Sequence, residues 1–287
     1  MTANQVTARQ TPMERIGVAD NRIAPRTFQA LLGRDIRVLR REIGGFLIRL
    51  VMQPLLFVFV FSYVLPKIGG SFQASAGSDV TFATILVPGL LAVTVNFQGL
   101  QAVALPLVGE FSWSKEIEDR VLAPVRVWVI GFEKIFSGML QSVIAAAIVL
   151  PITYFIHAEG QAPHLQPNWA LFVGILVLSS FLTSATGLLL GTIVNPNKIS
   201  LLFGVVLVPV TFLGCVYYPW AALYPIPWLQ ALVCLNPLVY ISEGFRWALT
   251  PQVGYMPPWA IMVALIVGTA ALTLLSLRTF VHRVVTI

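Results

Sequence analysis

The chain has 287 residues, of which 57% are hydrophobic and only 10% charged, far below the quarter or so of charged residues in soluble domains. That excludes a water-soluble globular fold and makes it an integral membrane protein. The net charge of +6 does not imply nucleic acid, because the cations sit beside apolar runs and not on one face of a soluble domain; membrane lipids with anionic headgroups are the fitting partner.

Residues 1–25 are polar and mixed in charge, with Pro12, Gly17 and Pro25 and no apolar period, and read as a disordered tail. From residue 26 the pattern changes. Phe28, Leu31, Leu32, Ile36, Leu39 and Ile43 recur at three- and four-residue steps, while Arg34, Arg37, Arg40 and Arg41 fall on the opposite side. This predicts an amphipathic helix over 26–45, lying in the membrane interface, with Gly44-Gly45 as a flexible joint. The first long apolar run begins only near Phe46, so no cleavable signal peptide of the usual layout is expected.

A crossing helix needs about 20 apolar residues, and six segments qualify or come close: 46–65, the uncharged run between Asp79 and Glu110, 126–156, 169–194, 199–218 and 259–277. Six crossings put both termini on one side. With the N-terminus inside, every lysine and arginine except Lys67 and Arg246 falls on the inner side, so both termini are expected in the cytoplasm. The fold class expected is therefore all-α, with six transmembrane helices.

Within the second span Thr94, Gln98 and Gln101 share one helix face, which should meet protein or water and not lipid. It is either the wall of a substrate path or a seam of interhelical hydrogen bonds. After this span comes the densest charge in the chain interior: Glu110, Lys115, Glu116, Glu118, Asp119, Arg120, Arg126, Glu133 and Lys134. A loop so charged is expected in water. Residues 115–122 have room for two helical turns before Ala123-Pro124 stops them. This is either a short surface helix shaped as a plug or a solvated connection. In the fourth span Gly187 and Gly191 form a small-xxx-small pattern that permits close helix contact.

The least regular stretch runs from 217 to 258, rich in proline and too apolar for an ordinary loop. Asn236-Pro237 is a helix start, an N-cap followed by proline at the first helical position, and Leu238, Ile241, Phe245 and Leu249 make an apolar stripe. A helix over 237–249 is about 20 Å long, so it must dip into the membrane and return, or lie on the surface. Glu243 and Arg246 lie three apart on it and are placed to pair, either at functional depth or as an interfacial anchor. Cys215 and Cys234 leave a disulfide and two free thiols both open.

No GxxxxGK[ST] phosphate loop, HExxH or GxSxG motif occurs, and His157, His164 and His282 are not spaced as a metal site. No catalytic or metal-binding residue is assigned.

This layout resembles the type-2 permease subunits of ABC exporters, of the bacterial drug-resistance kind. The resemblance covers about residues 26–283, and its most specific parts are 118–125 (Glu-Asp-Arg-Val-Leu-Ala-Pro-Val) and 235–238 (Leu-Asn-Pro-Leu) leading to Gly244-Phe245-Arg246. Where many relatives have Gly-Thr, this chain has Arg120-Val121. The resemblance implies a permease domain over 46–283 and a bacterial cytoplasmic-membrane location. It makes 110–124 the loop of a coupling helix that seats in a separate ABC ATPase subunit through Lys115, Glu116, Glu118, Asp119, Arg120 and Leu122. The helix over 26–45 becomes a connecting helix bracing that subunit. Residues 218–257 become a re-entrant outer gate carrying Asn236, Pro237, Glu243 and Arg246. A second permease, the same chain or a related one, would pair with it, and Thr94, Gln98 and Gln101 would face the path between them. No cofactor is expected on this chain; ATP and Mg belong to the partner. The implied cargo is a drug-like metabolite or a lipid, with lipid-linked polysaccharide as the alternative and a non-transporting scaffold or membrane enzyme as readings from another class.

Overall fold

The computed structural model describes residues 24–41, 43–64, 81–112, 126–156, 162–195 and 198–286. The expected disordered tail falls almost wholly outside these residues, as does the expected coupling helix over 115–122. Every regular element among the described residues is helical. In chain order they are α1 (Ala24–Arg41), α2 (Ile43–Val58, continued by a π-helical turn Phe59–Val64), α3 (Phe82–Ser112), α4 (Val127–Phe155), α5 (Trp169–Ile193), α6 (Ile199–Phe212), a 3-10 turn Trp220–Leu223, α7 (Pro227–Val233), α8 (Pro237–Leu249) and α9 (Pro258–Thr286).

Starts and stops follow local chemistry. Asn168 Oδ1 accepts from the Leu171 N–H at 3.2 Å and opens α5. Proline stands at the first position of α7, α8 and α9, where its missing N–H costs nothing. Gly44 and Gly45 lie inside the first turn of α2 and do not break the chain.

Among the described residues four helices are long and apolar enough to cross a membrane: α3, α4, α5 and α9. The first expected span is α2 with its π-helical extension. The fifth is shorter than expected. α6 has 14 residues, about 21 Å of helix against about 30 Å of hydrocarbon. The apolar run continues to Tyr218, but the backbone leaves the helix at Leu213 and turns at Cys215, whose φ is 52°.

α3 is the axis of the bundle. Of its most apolar window 83% is buried inside the protein, against 17% for α9, which lies on the periphery. The α3–α5 contact is close because small residues face each other. A Cβ on Gly187 would stand 2.8 Å from the Leu100 carbonyl oxygen, and one on Gly191 would stand 3.0 Å from the Ala104 Cα. The small-xxx-small pattern is thus the seam between the second and fourth expected spans. Several buried threonine hydroxyls are satisfied one turn back in their own helices, as Thr94 with the Leu90 carbonyl at 2.8 Å and Thr192 with the Leu188 carbonyl at 2.6 Å, so they need no water in an apolar interior. The buried hydroxyls of Ser179, Ser180 and Ser184 on α5, by contrast, have no hydrogen-bond partner among the described residues.

The two largest clusters of the core lie one toward each end. At the charged pole, Val103, Leu107, Ile130, Ile135, Leu188 and Phe280 join α3, α4, α5 and α9. Toward the other, proline-rich pole, Leu91, Ile175, Val216, Leu238, Phe245 and Ile261 bring in the irregular segment and α8.

Candidate functional site

Two groups of polar residues stand out against this apolar frame, one at each pole. At the proline-rich pole Asn236 caps α8, its Oδ1 accepting from the Leu238 N–H at 3.0 Å, and its amide donates to the Val210 carbonyl at 2.7 Å. The cap therefore ties the start of α8 to the end of α6, and Pro237 fixes the first turn. Of the expected stripe, Leu238, Ile241, Phe245 and Leu249 are all fully buried, and α8 packs on α3, α5 and α9. It is an internal element of the bundle and not a surface helix.

Glu243 and Arg246 are each 0% exposed. They pair, Arg246 Nη1 donating to Glu243 Oε1. Glu243 also accepts the Trp220 N–H at 2.9 Å on Oε1 and the Met256 N–H at 2.8 Å on Oε2, while Arg246 Nη2 donates to the Cys215 carbonyl at 3.1 Å. Ser242 Oγ donates to the Gly214 carbonyl at 2.7 Å. Three stretches without regular backbone pairing thus lean on two charged side chains of one helix. Charges so deep persist only when paired and hydrogen-bonded; here both are, with only Arg246 Nε of this group left without a hydrogen-bond partner among the described residues. Cys215 is buried, Cys234 half-buried, and both are free thiols.

At the charged pole the expectation of a solvated loop running from Glu110 to Lys134 is corrected. Glu110 lies in the last turns of α3, which continues through Phe111 to Ser112, while Glu133 and Lys134 lie about two turns inside α4. All three charged residues are buried, and Lys134 Nζ donates to Glu110 Oε1 at 2.7 Å. Just beside them the Arg283 guanidinium of α9 stacks over the Phe111 ring at 4.3 Å and donates to the Thr192 carbonyl at the end of α5. The loop between 112 and 126 therefore leaves and re-enters at helix ends that are already fastened.

α1 docks against this pole. Phe28 packs edge-on against Phe136 with ring centroids 5.7 Å apart, and lies 6.3 Å from Phe132. Arg37, Arg40 and Arg41 are exposed, and Arg34 bridges Asp35 at 3.2 Å. The arginine face points away from the bundle as the periodicity predicts. Ile36, on the expected apolar face, is 42% exposed, as is its neighbour Val38 at 52%, so this face is only partly covered by protein.

The polar stripe of α3 is split. Thr94 is buried and bonded within its own helix, Gln98 meets the Gln141 amide of α4 at 3.3 Å, and Gln101 is half-buried. The coupling residues Lys115, Glu116, Glu118, Asp119, Arg120 and Leu122 lie outside the described residues. Sequence reasoning missed the Glu110–Lys134 pair and Gln141. The signal was present in the apolar residues around Lys134, with Ile130 and Phe132 before it and Ile135 and Phe136 after it, which place the charge inside a helix and not at its edge.

Among the described residues no group of His, Cys, Asp or Glu is arranged to hold a metal. A family model described as "ABC-2 type transporter" matches residues 26–250. The inner membrane transport permease YadH of Escherichia coli (strain K12) is 32% identical to this chain over 168 residues, 58% of the chain and 62% of the relative. The relative of the same description from Shigella flexneri gives the same figures. The chain thus spans 62% of the length of the curated relatives it matches.

Proposed function

Because the chain belongs to the ABC-2 type transporter family, we propose that it is the membrane-spanning permease subunit of an ATP-driven exporter, moving an amphipathic drug-like metabolite or lipid out of the cytoplasm or inner leaflet. The family match over 26–250 carries this reading. The absence of a phosphate loop from the sequence supports a motor on a separate ATPase chain, which binds ATP and Mg. The chain sits in the bacterial cytoplasmic membrane with six crossings and both termini inside.

The charged segment 113–125 seats in the ATPase, and α1 braces the same subunit with Arg34, Arg37, Arg40 and Arg41. Two permeases pair through α6, whose outward stripe Leu201, Val205, Val208 and Phe212 is more than half exposed in the single chain. The half-buried Gln98 and Gln101 contribute to the path, and the clasped segment 213–257 closes its outer end. The ATPase shifts the permease only by binding one of its states more tightly than the other.

Affinity purification of this chain in mild detergent, mass spectrometry of what accompanies it and an ATPase assay on the complex test the reading. A phosphate-loop ATPase should copurify, and Glu116→Ala with Asp119→Ala should weaken its recovery or its hydrolysis. Ample recovery of the chain with no ATPase and no ATP hydrolysis would overturn it.

A further inference from the structure

The Glu110–Lys134 pair joins the last turns of α3 to α4 across the whole charged loop, 24 residues apart in sequence and 2.7 Å apart in space. The two residues are 8% and 6% exposed, so solvent does little to weaken the bond. Further from the loop the same two helices are joined again, by Gln98 and Gln141 at 3.3 Å. Two polar ties along one interface, with Val103 of α3 packed closely where Gly138 of α4 leaves room, hold α3 and α4 in fixed register.

The surroundings pin the same place from other sides. Phe28 of α1 rests on Phe132 and Phe136, and Phe132 meets Phe181 of α5 with centroids 6.0 Å apart. Leu277 and Phe280 of α9 approach Gly131 so closely that a Cβ there would stand 2.9 Å and 3.0 Å from them. Arg283 holds Phe111, the residue after Glu110. A push on a loop with loose ends would bend the loop. With both ends locked, the same push must move the helices.

We propose that Glu110 and Lys134 are positioning residues of the transport stroke: their buried ion pair locks α3 and α4 into one lever, so that displacement of segment 113–125 turns both helices together. The inference rests on the reading of that segment as the ATPase contact. It differs from that reading in assigning the two residues to transmission and not to docking, since neither is exposed to a partner.

The test uses the full chain purified with its ATPase, comparing parental protein with Glu110→Gln, Lys134→Met and the exchanged pair Glu110→Lys with Lys134→Glu. Recovery of the ATPase and permease-dependent ATP hydrolysis are measured on each. Both single variants should retain the ATPase in parental amount and lose about fivefold or more of the permease-dependent hydrolysis, the lower end of an ordinary coupling effect. The exchanged pair should regain most of it.

Singles that hydrolyse like the parent overturn the proposal. So do singles that lose the ATPase, because the pair would then build the docking surface. Where a single variant fails to fold, the exchanged pair decides, since restored folding without restored hydrolysis makes the pair structural only. A parental chain that brings down no ATPase instead overturns the permease reading itself, and the lever with it.

Discussion

Both poles of the bundle carry a buried ion pair, and the two pairs work in different ways. Glu243 and Arg246 sit three residues apart on one helix and gather the backbone groups of Cys215, Trp220 and Met256. Glu110 and Lys134 sit on different helices and tie one helix to the other. The proline-rich pole is built from segments that cannot satisfy their own N–H and C=O groups in regular pairing, and buried unpaired backbone groups are costly. Charged side chains there do the work of missing secondary structure. The helices of the charged pole are already satisfied internally, so the pair between them adds little to local folding and acts on relative position. One pair folds a segment, and the other holds a register.

The largest effects should come from breaking the first pair. Glu243→Ala leaves Arg246 buried without its counter-ion and strips acceptors from two backbone N–H groups. Removing one partner of a buried pair costs about 3–5 kcal/mol, enough to threaten the whole fold. Fluorescence-detected size exclusion after heating should show collapse of the monodisperse peak. Arg246→Lys keeps the charge but lacks the planar fork that reaches both Glu243 and the Cys215 carbonyl, so it should fall between parent and Ala. A parental melting curve for Glu243→Ala would remove the distinction between the poles.

Next in size are changes that test how tightly the irregular segment is seated on the axis. A Cβ on Gly89 would stand 2.0 Å from the Val216 carbonyl oxygen, which is backbone and cannot swing away. Gly89→Ala should therefore cost about 1–3 kcal/mol, as overpacking does. Gly33 on α1 has nothing within 4 Å of its Cβ position, and Gly33→Ala should stabilise by up to about 1 kcal/mol through helix propensity. Opposite shifts in melting temperature for the two substitutions are expected. At the charged pole Arg283→Lys should cost about 0.5–2 kcal/mol through the weakened stacking on Phe111, read by the same melt.

The proline-rich pole was the more legible of the two because its chemistry is local. Asn236-Pro237 announces a helix start, the stripe Leu238 to Leu249 announces a buried face, and the spacing of Glu243 and Arg246 announces a pair. What spacing could not give was the third dimension, the capture of Trp220 and Met256 by Glu243. α6 misled for a different reason. Its apolar run extends past Gly214 with no charged interruption, so hydropathy reads a crossing while the backbone leaves the helix at Leu213 and turns at Cys215. The charged pole misled because dense charge reads as solvent exposure. Whether Glu110 is inside or outside depends on a partner 24 positions away, and no local pattern states that.

The smallest expected effect is also the one that separates two roles for the polar face of α3. Gln98 meets Gln141 across the α3–α4 contact, and this bond serves either the bundle or the path. A neutral hydrogen bond contributes about 0.5–1.5 kcal/mol, whereas replacing both partners by apolar groups of similar shape is nearly neutral. Gln98→Leu and Gln141→Leu alone should each lower the melting temperature slightly, and the double variant should recover most of that loss. If the bond only holds the helices together, the double variant should also recover permease-dependent ATP hydrolysis and any stimulation of it by amphipathic compounds. If Gln98 lines the path, stability returns but that stimulation does not, because the path has lost two amides whatever the helices do. Equal loss in all three variants would mean the amides do not act as a pair, and the register of α3 and α4 would then rest on other contacts, the Glu110–Lys134 pair among them.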